Sequence, residues 1–159
     1  MPMKIHSIPL KPNSKGTIQR KIFNRPKFGV ECMYIQLTNT KGIKVYGTLR
    51  DARYAHKNQS LASIYQLAPK VYSRVQKCNF NFHKVDNYGA FRHNQKFAYF
   101  YITKVAITPS GPTSKEREDL IDNLAGLNIM ASDLHCGNLG RIGKKLVAID
   151  FGKESIFQP

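Results

Sequence analysis

The sequence predicts an α+β fold, and three patterns along the chain carry that prediction. Residues 17–48 are rich in β-branched and aromatic residues and are broken by Asn, Pro and Gly, which is typical of a strand meander. Apolar residues within 50–69 recur at helical spacing, and residues 113–127 begin with a helix-capping signal. The predicted order is a small, mostly antiparallel sheet with one inserted helix, then a second helix, then a loop and a hairpin that carry acids.

Six segments are predicted as strands. The first three form the meander, over 17–23, 30–38 and 43–49, with turns at 24–29 and 39–42. Two more follow over 70–76 and 96–107, joined by a polar connection, and the second is apolar enough to be central in a sheet. The last strand, 145–150, precedes a turn at 151–152.

The first predicted helix lies within 50–69. Leu61, Ile64, Tyr65 and Ala68 recur at i, i+3, i+4 and i+7, which places them on one helical face. Proline disfavours helical backbone in the residue before it, so the helix is expected to end at Pro69.

The second predicted helix follows a Pro/Gly break. Thr113 and Glu116 make a capping box, and acids crowd the first turns, where the helix dipole favours them. Gly126 suits the C-terminal end. The apolar stripe of this helix consists of Leu120, Ile121, Leu124 and Leu127.

Composition narrows the class of protein. No signal-peptide h-region and no run of about 18 apolar residues is present, so a soluble, cytoplasmic protein without a membrane segment is expected. Cys32, Cys78 and Cys136 lack Cys-x-x-Cys spacing and are expected to be reduced, mainly buried thiols.

Positive charge is concentrated in the first three-quarters of the chain. The formal net charge is +15. Residues 1–115 carry 20 Lys and Arg against three acids, or +17, whereas residues 116–159 carry five against seven, or −2. Such a field attracts nucleic acid, nucleotides or an acidic protein, although a solvated basic face that aids solubility is about as common.

Three oxygen-bearing side chains cluster near the C-terminus, in the segment SDLHCGNLGRIGKKLVAIDFG. Asp133 and Asn138 lie on a loop after the second helix, and Asp150 ends an apolar strand, so a hairpin can bring all three together. This donor set suits Mg²⁺ shared with substrate phosphates. His135 and Cys136 lack a second ligand pair, so zinc is not favoured.

The same segment resembles a known family. D-L-H-x-G-N-x-G, followed twelve residues after the Asn by D-F-G, resembles the catalytic loop and metal-binding turn of the protein-kinase-like superfamily. Its aminoglycoside-phosphotransferase-like and phage-encoded members are the most similar. The resemblance covers about residues 17–155 and implies one minimal kinase-like domain over 1–159, with an N-terminal lobe to about 103 and a reduced C-terminal lobe over about 104–159.

Upstream positions extend the resemblance. Lys44 lies on the third strand, at the place of the family's ATP-contacting lysine, although a strand lysine taken alone is more often solvent-facing. Gln59, ten residues before Pro69, takes the place of the helix glutamate that pairs with that lysine. Phe28 and Gly29 correspond to the tip of the phosphate-covering loop. Thr103 and Val105 lie where the family's hinge presents backbone groups to adenine.

Specific roles follow from the resemblance. Asp133 would accept or orient the proton of the attacking hydroxyl, and Lys44 would contact the α- and β-phosphates of ATP. Asn138 and Asp150 would hold Mg²⁺. The implied activity is ATP- and Mg²⁺-dependent transfer of a phosphoryl group to a hydroxyl, by a minimal phage-type Ser/Thr kinase-like protein that modifies a host component in the host cytoplasm.

Several positions depart from the family. Asn24 and Pro26 replace glycines of the phosphate loop, Gln59 is uncharged, and Ala131-Ser132 replaces a pair that usually contains His. The chain ends nine residues after Asp150, so the helices of the usual substrate platform are expected to be absent. These departures keep an alternative open, a kinase-like binder without catalysis whose basic surface holds and inhibits a nucleic acid or an acidic protein.

Overall fold

A computed structural model describes residues 3–4, 27–28, 32–79, 96–107, 111–131, 134, 136–152 and 156–157. The chain divides into two compact units, Met1–Ala52 with Tyr72–Val105, and Arg53–Val71 with Ala106–Pro159. The predicted α+β class is confirmed, because the described residues contain helices together with mainly antiparallel strands. The kinase-like lobes over 17–103 and 104–159 stay a prediction.

A six-stranded sheet forms the first unit. Its strands are β1 (Met3–Lys4), β2 (Lys27–Phe28), β3 (Cys32–Gln36), β4 (Lys41–Tyr46), β5 (Gln76–Asn79) and β6 (Phe97–Lys104). They lie in the order β1-β5-β6-β4-β3-β2, with β1 parallel to β5 and every other pair antiparallel. β6 lies between β5 and β4, which confirms the central position predicted for the apolar segment 96–107.

One face of this sheet is almost entirely apolar and buried. Because side chains alternate along a strand, residues two apart share a face. Met33 and Ile35 of β3, Ile43 and Val45 of β4, and Phe100 of β6 share one face, and none is more than 2% exposed. Burial of each such side chain contributes roughly 1.5–3 kcal/mol, so this face is a main source of the unit's stability.

The helix α1 (Leu49–Ile64) ends earlier than predicted. Its C-terminal turn closes with the Leu67 amide donating to the Ala62 carbonyl at 3.0 Å, and Gln66 has φ 60°. This is the arrangement of a Schellman motif, in which a left-handed residue takes the chain out of the helix. The prediction that Pro69 ends the helix is therefore wrong, because the left-handed turn at Gln66 ends it first.

The strand predicted over 70–76 is formed only at its last residue, because regular pairing with β6 begins at Gln76. The Tyr72 amide donates to the Ile102 carbonyl at 2.8 Å, but the Ile102 amide donates to the Ser73 side-chain oxygen, also at 2.8 Å. A side chain thus replaces a backbone acceptor, and the β5 ladder begins only at Gln76. Lys27–Phe28, predicted within a turn, pairs instead with β3. The predicted strand 17–23 and most of the connection 79–95 lie outside the described residues.

Most elements of the second unit lie in its C-terminal part. They are α2 (Ser114–Ala125), β7 (Met130–Ala131), β8 (Leu139–Ile142), β9 (Lys145–Ala148) and β10 (Ile156–Phe157). β8 and β9 form the predicted hairpin, and β10 pairs antiparallel with β7. The two-residue hairpin turn is Gly143-Lys144, where the positive φ of Gly143, 62°, matches the backbone that such turns require.

The capping prediction for α2 is confirmed. The Thr113 hydroxyl accepts from the Glu116 amide, and the Glu116 carboxylate accepts from the Thr113 amide, both at 3.1 Å. Leu120 and Leu124 of the predicted stripe are buried, whereas Ile121 is 38% exposed. The prediction that Ile121 belongs to the buried face of α2 is therefore wrong, because the face that α2 buries is narrower than the predicted stripe.

The end of α2 resembles that of α1. Gly126 is the C-terminal cap but has φ −62°, which any residue adopts. The left-handed residue is Asn128, with φ 60°, and the Ile129 amide closes the motif on the Leu124 carbonyl at 3.0 Å. Gly126 thus lies where it was predicted, but Asn128 provides the backbone conformation that ends the helix.

Two further expectations concern the membrane and the thiols. None of the helices in the described part of the chain is long and apolar enough to cross a membrane. Cys32 and Cys78 are free thiols. Cys78 is fully buried, and burial raises the pKa of its thiol to about 12, which makes it a poor nucleophile.

Candidate active site

The turn after β9 holds the predicted metal carboxylate. One oxygen of Asp150 accepts a hydrogen bond from the Gly152 amide at 3.1 Å, which fixes the carboxylate against its own turn. Phe151, between them, is fully buried and anchors the turn. Asp150 itself is half-buried, so part of its surface stays open to solvent or to a ligand.

The hairpin places Asn138 beside this turn. Asn138 ends a short 3₁₀ segment, Cys136–Asn138, immediately before β8. Its carbonyl accepts from the Ile149 amide at 3.0 Å, which extends the β8–β9 pairing to the residue before Asp150. Only 8% of Asn138 is exposed. Asn138 is therefore opposite Ile149, the residue before Asp150, across one hairpin.

Strand β10 brings the chain back beside β7, which precedes the predicted catalytic loop. The Ile156 amide donates to the Gly152 carbonyl at 3.0 Å, and Ile156 pairs with Ala131 of β7. The Ile156 carbonyl also accepts from the Tyr54 hydroxyl of α1 at 3.1 Å. β7 ends two residues before Asp133, the predicted catalytic base, which itself lies outside the described residues, as does His135.

Lys44 lies in the middle of β4, directly opposite Tyr34 of β3 and Tyr101 of β6. Only 7% of this residue is exposed, although lysine is almost never buried unless it is paired. On the same face, the rings of Tyr46 and Tyr101 stack with their centroids 6.0 Å apart. Lys44 is therefore not an ordinary solvent-facing lysine, since it lies among tyrosines on a largely enclosed face of the sheet.

Gln59, the predicted partner of that lysine, is completely buried in α1. Its side-chain nitrogen donates to the Pro69 carbonyl at 2.9 Å. This bond joins the helix to the segment that follows it, where the Leu67 carbonyl also accepts from the Ala148 amide of β9 at 3.0 Å. Gln59 thus has a structural role in the second unit, and its predicted role in nucleotide binding stays a prediction.

The predicted nucleotide contacts of the first unit are only partly described. Thr103 is buried at the end of β6, and the Val105 amide donates to the Thr40 carbonyl at 2.9 Å. Among the described residues, no group donates a hydrogen bond to the Val105 carbonyl, and the contact of Thr103 and Val105 with adenine stays a prediction. Phe28 lies in β2, and Gly29 is outside the described part.

An ion pair that the sequence did not reveal braces the hairpin. The Arg141 guanidinium of β8 binds both carboxylate oxygens of Glu116, at 2.8 and 3.1 Å, and it donates to the Lys144 carbonyl as well. Glu116 therefore caps α2 and also holds the hairpin that carries Asn138 and Asp150. The two residues are 25 apart in sequence, so no local pattern links them.

We expect Glu116→Gln to lower the free energy of unfolding at neutral pH, because glutamine still fits the capping box but loses the ion pair. Hydrogen bonds from Arg141, and then from the Thr113 backbone, lower the pKa of Glu116 from 4.5 to about 2. A lowered folded-state pKa stabilises the fold fully above the unfolded value, and the contribution is lost as pH falls through the folded value. The difference between wild type and variant should shrink between pH 4.5 and about 2.

Urea unfolding at pH 7, 4 and 2.5 measures this difference. Glu118→Gln, which removes the same charge from an exposed position of α2, is the matched control and should show a much smaller effect. A difference for Glu116→Gln that stays constant down to pH 2.5 would contradict the ion-pair explanation.

The described residues do not on their own contain a cluster of acidic, His and Cys metal ligands. No three His, Cys, Asp or Glu side chains there lie close enough together to hold a metal ion. The pair formed by Asp150 and the Asn138 amide would not count as such a cluster, and Asp133 is not among the described residues.

Comparison with protein-family models and with curated proteins identifies no relative. No protein-family model matches the chain, and a search of curated proteins finds no significant match. The kinase-like interpretation therefore depends on the residues themselves and on the geometry of the hairpin.

Proposed function

We propose that the protein is an ATP- and Mg²⁺-dependent phosphotransferase that transfers a phosphoryl group to a hydroxyl. One observation carries the proposal: the β8–β9 hairpin places Asn138 beside the turn of Asp150, with the Asn138 carbonyl bonded to the Ile149 amide at 3.0 Å. The kinase-like motif requires this pair of oxygen donors to be adjacent.

The chemistry of these two side chains fits Mg²⁺. Asp150 offers a carboxylate of which one oxygen accepts the Gly152 amide, so the other oxygen is available among the described residues. Asn138 offers an amide oxygen, and hard cations such as Mg²⁺ take oxygen ligands while keeping several waters. When bound, Mg²⁺ would neutralise charge on the phosphates of ATP.

The remaining roles are assigned from the resemblance. In the first unit, the largely buried Lys44 would contribute an ammonium to the α- and β-phosphates. In the second, Asp133 would hold the proton of the acceptor hydroxyl. Phosphoryl transfer depends mainly on positioning and on neutralising charge, so these few groups can suffice.

The acceptor is proposed to be a Ser or Thr hydroxyl of a host protein, as in phage-type kinase-like proteins. The proposal places the protein in the host cytoplasm, where ATP and Mg²⁺ are present and thiols stay reduced. It predicts a protein partner that docks on the basic first unit, whose residues carry 16 Lys and Arg against three acids, a net charge of +13.

Transfer of labelled γ-phosphate from Mg-ATP tests the proposal, with the purified protein and a host-cell lysate as acceptors. Label in the protein itself or in a discrete lysate protein, lost on removal of Mg²⁺ by a chelator, is the expected result. Absence of label from a protein that also fails to bind Mg-ATP by calorimetry would overturn it.

A kinase-like binder without transfer is the second candidate. Gln59 carries no charge, and its side-chain nitrogen already donates to Pro69, so it cannot ion-pair with a lysine as a glutamate does. ATP binding without transfer to any acceptor would favour this candidate.

A further inference from the structure

Two lysines of the first unit face each other at one end of the sheet. Lys41 of β4 is directly opposite Lys104 of β6. The Val105 amide donates to the Thr40 carbonyl at 2.9 Å, so this is a non-hydrogen-bonded pair, the type in which opposed side chains come closest. Like charges directly opposite are destabilising, which makes the arrangement costly unless a ligand compensates it.

The described residues of the first unit offer these lysines almost no compensating charge. Asp51 is their only acid, and neither lysine forms an ion pair with a described residue. The basic residues whose side chains are described in this unit are Lys41, Lys44, Arg50, Arg74, Lys77, Lys96 and Lys104. The opposed pair thus lies in a field of one sign, which favours an anionic ligand.

An aromatic ring lies beside the lysine pair. The Lys41 ammonium is 5.2 Å from the centroid of the Tyr72 ring, within the range of a cation–π contact. The Tyr72 amide donates to the Ile102 carbonyl at 2.8 Å, so the backbone of this residue is fixed against β6. Tyr72 is nevertheless 40% exposed, so its ring is accessible although its backbone is held.

We propose that Lys41, Lys104 and Tyr72 form a binding site for single-stranded nucleic acid. The two ammonium groups would contact backbone phosphates, and a base would stack on the Tyr72 ring. Proteins that bind single strands combine a positively charged track with aromatic rings in this way. The site goes beyond the proposed phosphotransfer and is independent of Asn138 and Asp150.

The combination favours a nucleic acid over an acidic peptide. Carboxylates would be attracted by the lysines, but they have no planar base to use a ring that is both fixed and exposed. A polyanion also gains from other basic residues of this unit, because each neutralised phosphate releases counterions. A single free phosphate would gain neither advantage.

Fluorescence anisotropy of a labelled dT12 strand tests the site at several salt concentrations. We expect Lys41→Gln/Lys104→Gln to reduce affinity at least tenfold and to reduce the slope of log affinity against log salt by about 1.4, the value for two lost phosphate contacts on a single strand. Tyr72→Leu should reduce affinity by about 5- to 150-fold, the range for one stacked base, whereas Tyr72→Phe should retain binding.

Lys144→Gln/Lys145→Gln removes the same charge from exposed lysines of the β8–β9 hairpin and is the matched control. Equal loss of affinity in this control would overturn the site, because it would show attraction by net charge alone. The site would also be overturned, in favour of an acidic protein, by two results together. An octaglutamate peptide would displace dT12, and Tyr72→Leu would bind dT12 with the affinity of wild type. The Lys41→Gln/Lys104→Gln variant should be at least as stable as wild type to urea, which separates lost contacts from lost folding.

Discussion

Replacing Asp150 by asparagine is expected to abolish Mg²⁺-dependent ATP binding while changing the free energy of unfolding by less than about 0.5 kcal/mol, as for a typical surface substitution. In the wild-type protein the Gly152 amide donates to the Asp150 carboxylate at 3.1 Å. Asparagine keeps a side-chain oxygen that can accept this bond, so the turn should persist. What is lost is the negative charge that a divalent cation requires. Loss of a residue that only supports a metal ligand costs about 10–100-fold in metal affinity, so loss of the ligand itself should cost at least about 100-fold.

Isothermal calorimetry of ATP with and without Mg²⁺ measures this effect. Asp122→Asn makes the same chemical change at an exposed position of α2 and should leave ATP binding unaltered. Asp150→Ala, which also loses the turn acceptor, should bind no better than Asp150→Asn and should be less stable by about 1 kcal/mol. Unchanged Mg-ATP binding in Asp150→Asn would show that Asp150 only closes its turn.

The role of Asp133 as a catalytic base predicts a different kinetic pattern from the role of Asp150 as a metal ligand. If Asp133 handles the proton of the acceptor, Asp133→Asn should lower the transfer rate by about 10²–10⁴-fold and preserve Mg-ATP binding. Asp150→Asn should lose both the transfer activity and Mg-ATP binding. Equal behaviour of the two variants would mean that the division of roles between base and metal ligand is wrong.

Local sequence patterns predicted the parts of the fold that local forces determine. The capping box of Thr113 and Glu116 is a contact between residues three apart, and it is present as predicted. A hairpin near Asn138 and Asp150 is predicted and present, but its first strand, Leu139–Ile142, and its two-residue turn are not among the predicted elements. Helix ends were less predictable, because residues such as Gln66 and Asn128 adopt left-handed backbone that their identity does not require.

Contacts between distant segments could not be predicted from one sequence. The bond from Glu116 to Arg141 joins residues 25 apart, and either residue alone is typical of a solvated surface. The facing of Lys41 and Lys104 depends on the register of β4 against β6, since a slip by one residue would move each lysine's partner to the other face. Both features depend on tertiary pairing, which periodicity does not specify.

The close approach of two segments at Gly140 leads to the second large expected effect. A Cβ at this position would lie 2.6 Å from the Ala106 Cβ, which is too close for any real contact, and 3.0 Å from an Ile149 methyl, which is tight. Ala106 cannot move alone, because Ile107 and Arg141 exchange backbone hydrogen bonds at 2.8 and 3.0 Å. Gly140→Ala should therefore destabilise the protein by about 1–3 kcal/mol, the usual cost of overpacking, and Gly140→Val by more.

Gly42→Ala is the contrasting control. A Cβ there would meet the far end of the Tyr34 ring, including Cζ at 2.7 Å, and a side chain can swing aside without moving the backbone. The Tyr34 ring is half-buried, so displacing it has some cost, but replacing glycine also reduces the entropy lost on folding, by about 0.5–1 kcal/mol. Urea unfolding should therefore rank Gly140→Ala well below Gly42→Ala in stability. Equal stability of Gly140→Ala and Gly42→Ala would contradict the close packing at Gly140. Gly140→Ala should also weaken Mg-ATP binding, because Ile149, which its Cβ would contact, precedes Asp150.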